Sequence, residues 1–346
     1  MTPLRFAMLG CGFWARYQLA AWRELPGATC VAVCDSSLAK AEQLAGQFGV
    51  TQVYDDAERL FDEQSLDFAD IVTQVESHGE LVERAIQHRL PVICQKPLAP
   101  SLRAAQELVA SAEAAGVPLL VHENWRWQAP LRRLNEILKS GRLGPLVRAR
   151  IDYANSFPVF DNQPALKELE QFILTDIGTH ILDVARFLFG EAAHLYCQTR
   201  RMKQDIAGED VATVMLRMQD GLTVTCNMSY ASRWELDRFP QTFVAVEGTR
   251  GGVSLGADYE IVIVDELGEH RERIAIPHYA WANPDYALVH ASIVECHRNL
   301  LGFLQGQEQA ETDGRDNLQT LGLVFGAYES ATSNAAIAIE QDRSTP

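Results

Sequence analysis

The feature that most constrains this fold is a glycine turn near the start of the chain. The apolar run Leu4–Leu9 leads into Gly10-Cys11-Gly12-Phe13-Trp14-Ala15, and a helical stretch follows. Gly10 can supply a tight turn, Gly12 exposes the main chain because it has no Cβ, and the small Ala15 permits close helix–strand packing. The order strand, glycine turn, helix predicts the first unit of a doubly wound parallel sheet. Its helix N-terminus would present N–H groups to an anion.

An acidic residue stands where such a turn requires one for a dinucleotide. A second apolar run, Ala28–Cys34, ends in Asp35, which lies 35 − 15 = 20 positions beyond Ala15. In dinucleotide-binding sheets this acid binds the ribose 2′-hydroxyl. Ser36 and Ser37 follow it without an arginine that would suit a 2′-phosphate, so the pattern favours NAD over NADP. A plain strand-to-helix turn without a nucleotide is the alternative.

Length and charge narrow the class of protein. A chain of 346 residues exceeds what one hydrophobic core usually serves, so we expect two domains. The formal charge of −16 disfavours nucleic acid, because phosphate-backbone binding needs a basic surface and Arg132-Arg133 is an isolated pair. Seven cysteines without a CxxC pair suit reduced thiols and indicate no zinc site. Without a leader pattern or a long apolar segment, we expect a cytoplasmic protein without membrane partners or a metal.

Hydrophobic periodicity indicates an α/β fold in two parts. Residues 1–123 alternate helix and strand and predict a Rossmann domain for NAD, with ligands at the carboxyl ends of parallel strands. Its predicted elements after the second strand are helix Leu38–Phe48, strand Phe68–Thr73, helix Glu80–His88, strand Pro91–Cys94, helix Ser101–Ala115 and strand Val117–Val121. Ser101 is the expected helix cap and Gly116 the expected stop.

Residues 124–346 read as an α+β domain with an antiparallel sheet. Strands are predicted at Leu146–Tyr153, Ala193–Arg200, Val211–Met218, Leu222–Tyr230, Thr242–Glu247 and Glu260–Val264, and helices at Leu131–Ser140, Leu169–Leu188, Asp285–Leu304 and Asp316–Ser333. Asp220-Gly221 predicts a hairpin turn between the third and fourth of these strands.

The predicted helix Leu169–Leu188 carries a titratable cluster. Asp176, His180 and Asp183 are spaced to share one helix face. Oxidation of an alcohol by NAD removes a hydride from carbon and a proton from oxygen, and imidazole, with a usual pKa of about 6.5, suits that proton. An aspartate one turn away could orient the imidazole or bind substrate hydroxyls. A solvated face with an ion pair is the alternative.

A lysine follows a predicted strand of the Rossmann domain. Lys96 in Val92-Ile93-Cys94-Gln95-Lys96-Pro97 stands just past a buried parallel strand, at the edge where the nicotinamide is expected. Its ammonium could hydrogen-bond the reacting oxygen and favour the ionised form. A solvated surface lysine is the alternative.

The stretch His122-Glu123-Asn124-Trp125-Arg126-Trp127-Gln128 follows the last strand of the Rossmann domain. Tryptophan rings could cover the C–H face of a sugar while amide and guanidinium groups bind its hydroxyls. Packing between domains explains the same composition equally well.

In this order, the glycine turn, Lys96 and the Asp176–His180 helix resemble the Gfo/Idh/MocA oxidoreductase family over nearly the whole chain. The resemblance implies a Rossmann domain followed by an α+β domain whose open, mostly antiparallel sheet often serves for oligomerisation. It implies that Lys96, Asp176 and His180 form the catalytic group, and that His78 matches a histidine of the nicotinamide-side loop. This chain departs from the family at Gln95, where glutamate is usual, and at Gln74-Val75-Glu76, where a proline-containing loop is usual.

Within the family, Cys94-Gln95-Lys96-Pro97, Asn124–Gln128 and the segment from Phe157-Pro158 to Asn162-Gln163-Pro164 resemble the subgroup that oxidises D-apiose. That resemblance implies oxidation of a cyclic branched pentose at C1 to a lactone, which opens to the aldonate. His180 would take the anomeric proton, Lys96 would stabilise the oxyanion and Asp176 would orient the sugar. The expected cofactor residues are Gly10, Gly12, Phe13, Trp14, Asp35, Ser36, Thr73, His78, Gln95 and Lys96. The expected substrate residues are Lys96, Asn124, Trp125, Arg126, Trp127, Gln163, Asp176 and His180.

Other functions remain open on the sequence. A dehydrogenase of another aldose or of inositol would share these residues, and a catalytically silent sensor of NAD and sugar could keep the pocket without the reaction. An NAD-dependent glycosidase is a third possibility by analogy of fold. In each case we expect a small-molecule substrate and a homo-oligomer.

Overall fold

The computed structural model describes residues 2–234 and 239–339, which form two compact units. The first unit runs to Asn124 and also contains Tyr279–Ala282 and His290–Leu318; the second contains Trp125–His278, Asn283–Val289 and the chain from Gln319. Two later segments therefore belong with the N-terminal sheet, which the division at residue 123 did not include. The assignment of 1–123 to NAD and of 124–346 to substrate and oligomerisation stays a prediction.

The first unit is built on a six-stranded sheet in the order β3-β2-β1-β4-β5-β6, and all neighbouring strands are parallel. This confirms the Rossmann topology, in which ligands bind at the carboxyl ends of the strands. The strands are β1 (Leu4–Leu9), β2 (Ala28–Cys34), β3 (Gln52–Tyr54), β4 (Phe68–Ile71), β5 (Val92–Gln95) and β6 (Leu119–His122).

The predicted helices Leu38–Phe48 and Ser101–Ala115 are confirmed to within one residue, whereas the helix predicted at Glu80–His88 begins five residues earlier, at Val75, and ends at Gln87. Ser101 Oγ accepts a hydrogen bond from the Ala104 N–H at 3.2 Å, and Gly116 ends the helix with a φ of +66°. The helices are α1 (Ala15–Trp22), α2 (Leu38–Phe48), α3 (Ala57–Glu63), α4 (Val75–Gln87) and α5 (Leu102–Ala115). α3 is a helix that the periodicity did not predict, because it is short.

The second unit is built on a nine-stranded sheet in the order β14-β13-β12-β11-β7-β10-β9-β8-β15. It is mostly antiparallel, but β7 and β10 pair in parallel. Asp220-Gly221 forms the predicted turn between β9 and β10, with a Gly221 φ of +94°. The strands are β7 (Leu146–Ala154), β8 (Ala192–Arg200), β9 (Val211–Met218), β10 (Thr223–Ser229), β11 (Phe243–Gly248), β12 (Gly251–Leu255), β13 (Glu260–Asp265), β14 (Gly268–Arg273) and β15 (Ile337–Ala338).

The predicted helix Leu169–Leu188 is wrong at its N-terminal end. A 3₁₀ turn at Pro164–Glu168 is followed by non-helical chain, then by a π-helical turn at Leu174–Gly178 and by helix α8 (Thr179–Phe189). Glu209 accounts for this start, because its carboxylate accepts hydrogen bonds from the N–H groups of Phe172 and Leu174, both at 3.3 Å. A side chain distant in sequence thus caps the segment. The other helices in chain order are α6 (Ala129–Lys139), α7 (Val159–Asn162), α9 (Ala287–Leu304) and α10 (Gly314–Ser333). In the described part of the chain, no helix has the length and hydropathy needed to cross a membrane.

Candidate active site

The glycine turn of the first unit fits a dinucleotide. Gly10 has a φ of +94°, and a Cβ there would lie 2.7 Å from the carbonyl carbon of Val72, so this position needs glycine for its backbone. Gly12 is exposed, and a Cβ there would meet no protein atom within 4 Å. The two glycines therefore differ: the first shapes the turn, and the second leaves open space over the main chain where a pyrophosphate can approach.

Asp35 is tied to the same turn by its carboxylate. Oδ2 accepts a hydrogen bond from the Cys11 N–H at 2.8 Å, and Oδ1 accepts one from the Ser37 N–H at 2.9 Å. These bonds hold the acid at the end of β2 beside the glycine turn, as the spacing predicts for a ribose contact. Phe13, Trp14 and Ser36 lie in the same two loops. The residues present fit NAD. The glycine turn would hold its pyrophosphate, and Asp35 would hold its ribose.

His78 joins two loops at the carboxyl edge of the first sheet. It is 1% exposed, and its ring nitrogens contact the carbonyl oxygens of Pro97 at 3.0 Å and Thr73 at 3.1 Å. Burial lowers the pKa of His78, while the two carbonyls act in the opposite direction. The imidazole thus links the loop after β4 to the turn after β5. Thr73 itself accepts a hydrogen bond from the Ser77 hydroxyl at 2.8 Å.

Lys96 directly follows β5 and is half-buried. The Gln95 side chain turns back on the main chain, where its Oε1 accepts a hydrogen bond from the Lys96 N–H at 2.8 Å. The residue that replaces the family's usual glutamate therefore has a structural contact of its own. Both residues lie at the strand edge where the sequence predicted them.

Asp176 and His180 lie on consecutive turns in the second unit. Asp176 is half-buried in the π-helical turn, and His180 is 5% exposed in the first turn of α8. The His180 ring stacks on the indole of Trp125, with ring centroids 4.3 Å apart and an interplanar angle of 23°. Trp125 is fixed in turn by a hydrogen bond from its Nε1 to Thr242 Oγ1 at 3.2 Å. π-Helical turns occur frequently at functional sites.

Two buried tyrosines lie behind Asp176. The Tyr230 hydroxyl donates to Asp176 Oδ2 at 2.9 Å, and the Tyr153 hydroxyl is hydrogen-bonded to that of Tyr230. Sequence reasoning missed both residues, because each stands at a strand end where an apolar aromatic residue would give the same pattern.

Asp183 has an environment unlike that of Asp176 and His180. It is fully buried, and Arg126 holds it through two hydrogen bonds, from Nε to Oδ2 at 2.8 Å and from Nη2 to Oδ1 at 2.5 Å. The Thr320 hydroxyl also donates to Asp183 Oδ1, at 3.1 Å. The Arg126 guanidinium, which we expected at sugar hydroxyls, therefore binds helix α8.

Aromatic rings from separate segments continue from Trp125. Phe239 lies edge-on to Trp125 at 6.0 Å and stacks on Phe157 at 4.5 Å, and Tyr286 lies edge-on to both phenylalanines. We call Trp125, Phe157, Phe239 and Tyr286 the aromatic wall. All but Trp125 are half-exposed. The wall gives this part of the second unit an apolar surface with C–H-binding faces.

The remaining expected substrate residues have different environments. The Asn124 amide, in the first unit, donates to Ser292 Oγ at 2.7 Å. Trp127 is half-buried under the Arg132 guanidinium, which lies 4.3 Å from a Trp127 ring centroid. Gln163 is half-buried between α7 and the 3₁₀ turn. The first unit thus brings together the glycine turn, Asp35, Thr73, His78, Gln95 and Lys96 at one sheet edge. The second unit brings together Trp125, Asp176 and His180.

Comparison with known proteins gives matches over nearly the whole chain. A family model for the oxidoreductase family with an NAD-binding Rossmann fold (GFO_IDH_MocA) matches residues 4–123, and one for the GFO/IDH/MocA C-terminal domain matches residues 131–254. The chain is 41% identical over 341 residues to a D-apiose dehydrogenase of Paraburkholderia graminis, covering 98% of this chain and 91% of that protein. It is 38% identical over 339 residues to a D-apiose dehydrogenase of Rhizobium rhizogenes, covering 98% of each.

A solved structure also matches nearly the full length. It is an oxidoreductase from Agrobacterium radiobacter in complex with NAD⁺, L-tartaric acid and magnesium, which is 38% identical and superposes with a TM-score of 0.96. The match covers 98% of this chain and 99% of that one. The agreement extends through both units.

Proposed function

The chain belongs to the Gfo/Idh/MocA oxidoreductase family and is an NAD-dependent dehydrogenase, and from this premise we propose that it oxidises a cyclic aldose, D-apiose, at its anomeric C1 hydroxyl to the lactone. The observation that carries the proposal is the arrangement of Asp176 and His180 on consecutive turns, with the imidazole stacked on Trp125. Two relatives at 38–41% identity bear the name D-apiose dehydrogenase, which supports the choice of sugar.

In the proposed reaction, His180 removes the proton from the anomeric hydroxyl. A neutral imidazole is suited to this step near neutral pH. The acceptor for the hydride that leaves C1 would be supplied by NAD, bound at the glycine turn and Asp35. The C1–O bond gains double-bond character as the O–H and C–H bonds break, and the product is the lactone, which water opens to the aldonate.

Lys96 and Asp176 have separate roles in this proposal. The Lys96 ammonium stabilises negative charge on the anomeric oxygen as the proton leaves, and its place directly after β5 supports that role. Asp176 orients the sugar by accepting hydrogen bonds from its hydroxyls. Neither the role of Lys96 nor that of Asp176 requires a bound metal ion.

The aromatic wall supports a sugar as the substrate class. The C–H faces of a furanose or pyranose ring pack on aromatic rings, and Phe157, Phe239 and Tyr286 present half-exposed rings beside Trp125. We propose that hydroxyl contacts come from Asp176 and His180, with Asn124, Trp127 and Gln163 as further contacts. The Arg126 guanidinium holds Asp183, and its contact with a sugar hydroxyl stays a prediction.

The experiment that tests the reaction is a matched set of sugars with NAD and NADP. We expect reduced nicotinamide from D-apiose with NAD, and a lactone or aldonate as the product by NMR. The methyl glycoside of apiose is the control, since its C1 oxygen carries no proton to remove, and we expect no reduction with it. Reduction with the glycoside, a ketose product, or activity confined to inositols would overturn the proposal.

We also propose that the chain forms a homo-oligomer through the outer face of the second sheet. Strand β9 buries every second residue and exposes Thr213, Met215 and Arg217 between them. Met215 and Val264, which are 46% and 50% exposed, place apolar surface on that face.

The oligomer is tested by analytical ultracentrifugation of Met215→Glu together with Val264→Glu. We expect dissociation to smaller species, because a buried unpaired charge weakens an interface. Leu267→Glu, in the exposed turn between β13 and β14, is the control and should sediment like the wild type. Unchanged sedimentation of the double variant would exclude this face.

A further inference from the structure

We propose that Tyr230 is a positioning residue for the dehydrogenase reaction, acting through Asp176. Tyr230 directly follows β10, is 2% exposed and donates its hydroxyl to Asp176 Oδ2 at 2.9 Å. A carboxylate on a half-buried turn can adopt several rotamers, and a hydrogen bond from a fixed donor selects one of them. The inference rests on the proposed role of Asp176 in orienting the sugar.

The Tyr230 ring is held from several sides, so its hydroxyl is a fixed donor. Its backbone N–H donates to the Asp210 carbonyl at 2.9 Å. Phe172 stacks on the ring at 5.7 Å, and Tyr153 meets it edge-on, also at 5.7 Å. Because β10 and the segment before α8 both hold this ring, the position of the hydroxyl is set by the core of the second unit.

The Tyr230 hydroxyl stays protonated at every working pH. Burial raises the pKa of Tyr230 well above its usual value, and the charge of Asp176 adds to the rise. The Tyr153 hydroxyl is hydrogen-bonded to that of Tyr230, and Tyr153 is fully buried. The tyrosine therefore acts as a donor to the carboxylate and not as an acid that changes state during turnover.

The test is a double-mutant cycle with Tyr230→Phe and Asp176→Asn, assayed with the sugar substrate. Phenylalanine keeps the ring and removes only the hydroxyl. The free energy that a hydrogen bond to a charged group usually contributes predicts a fall in kcat of about tenfold for Tyr230→Phe. We expect the KM for NAD to be unchanged. In the Asp176→Asn background, Tyr230→Phe should change kcat by less than about twofold, because the two changes remove one interaction.

A split between the kinetic constants provides a readout that simple core packing would not alter. Because the proposed bond orients the carboxylate that binds the sugar, Tyr230→Phe should lower kcat/KM for the sugar while the KM for NAD stays at its wild-type value. Tyr196→Phe is the control, since the Tyr196 hydroxyl donates to Asn334 Oδ1 at 2.6 Å on an exposed part of the same unit. We expect wild-type kinetics from it.

The outcomes separate this inference from the proposed function. Unchanged turnover in Asp176→Asn would remove the proposed role of Asp176. A large effect of Asp176→Asn with additive or absent effects of Tyr230→Phe would overturn the positioning role alone. Thermal unfolding needs no substrate: the loss of Tm in Tyr230→Phe, about 2–4 °C for a bond of this kind, should shrink in the Asp176→Asn background. If Tyr230→Phe does not fold, Tyr153→Phe replaces it, and unchanged kcat in that variant would count against the inference.

Discussion

The imidazole of His180 lies nearly parallel to the indole of Trp125, with ring centroids 4.3 Å apart. The stack holds an imidazole that is 5% exposed, and a hydrogen bond to Thr242 fixes the indole. In the reaction that we propose His180 is the base, and a base must keep its orientation relative to the proton that it removes. The orientation of His180 therefore depends on a residue 180 − 125 = 55 positions earlier in the chain.

Replacing Trp125 by alanine should lower kcat/KM for the sugar by about 100-fold, because the imidazole loses its stacking partner and a misplaced catalytic group costs on that order. Trp125→Phe keeps a ring, and we expect a smaller loss. Steady-state kinetics with the sugar varied at saturating NAD measures both. Equal activity of the alanine and phenylalanine variants would show that stacking has no part in orientation.

Replacing His180 by alanine should lower kcat by about 10²–10⁴-fold, the usual contribution of a general base. NAD affinity, measured by calorimetry, should remain nearly the same. A parallel loss of turnover and NAD affinity would indicate damage to the fold instead of loss of the base.

The two glycines of the turn should respond differently to alanine. Gly10→Ala places a Cβ 2.7 Å from the Val72 carbonyl carbon at a φ of +94°, and we expect a loss of stability of about 1–3 kcal/mol or more. Gly12→Ala meets no protein atom within 4 Å, so its Tm should stay near that of the wild type. NAD binding by Gly12→Ala should nevertheless weaken, because the Cβ occupies the approach to the main chain. Calorimetric titration with NAD beside thermal unfolding distinguishes the two effects, and normal NAD affinity in Gly12→Ala would contradict the assignment.

The Arg126–Asp183 pair should be costly to break from one side. The side chains are 7% and 0% exposed, so Arg126→Met removes two short hydrogen bonds from a buried carboxylate, to which Arg186 Nη1 lies farther away, at 3.9 Å. We expect a loss of up to about 3–5 kcal/mol in the free energy of unfolding, the usual cost of breaking a buried pair from one side. Combining Arg126→Met with Asp183→Leu should recover part of it, since the double variant no longer buries that carboxylate. Denaturant titration measures both variants, and an undiminished loss in the double variant would mean that the packing of the guanidinium, not its charge, holds α8.

A buried carboxyl in the first unit should give stability an unusual pH dependence. Asp70 is fully buried, accepts a hydrogen bond from Trp22 Nε1 at 2.7 Å, and burial raises its pKa from 3.8 to about 7. A carboxyl whose pKa is higher in the folded state binds more protons when folded, so its contribution to stability falls as pH rises from about 4 to about 7. Burial lowers the pKa of the nearby His297. The contribution of His297 to stability therefore has the opposite pH dependence, because it is lost as pH falls below 6.5.

Asp70→Asn isolates the carboxyl. The free energy of unfolding of the variant, relative to the wild type, should increase by roughly 3–4 kcal/mol from pH 4 to pH 8. The His297 contribution cancels in this difference because both proteins keep the histidine. A difference that does not vary with pH would mean that Asp70 has an ordinary pKa.

Local sequence signals were sufficient wherever one residue acts on its neighbours. Helix α5 begins after Ser101 and ends at Gly116, and Asp220-Gly221 forms a hairpin turn. Gly10 has a positive φ, which residues with a side chain rarely adopt. The spacing from the turn to Asp35 also correctly predicted that this acid lies beside the turn, where it accepts a hydrogen bond from the Cys11 N–H. The reason is that the first two strands and the helix between them form one continuous local unit. The family motifs predicted the rest of the fold class correctly.

Only the tertiary structure decided which distant residues meet. Tyr230 reaches Asp176, Arg126 binds Asp183, and Glu209 starts the segment before α8, so the predicted helix from Leu169 was too long. In each of these pairs the two residues lie more than 30 positions apart in the sequence. The paired residues of the parallel strands β7 and β10 are also more than 30 positions apart. Periodicity indicates whether a side chain faces the core, but it does not indicate which distant residue that side chain contacts there. The sequence by itself determined the kind of fold and its chemical groups, and long-range packing determined how those groups are held, because hydrogen bonds between distant segments exist only after the chain has folded.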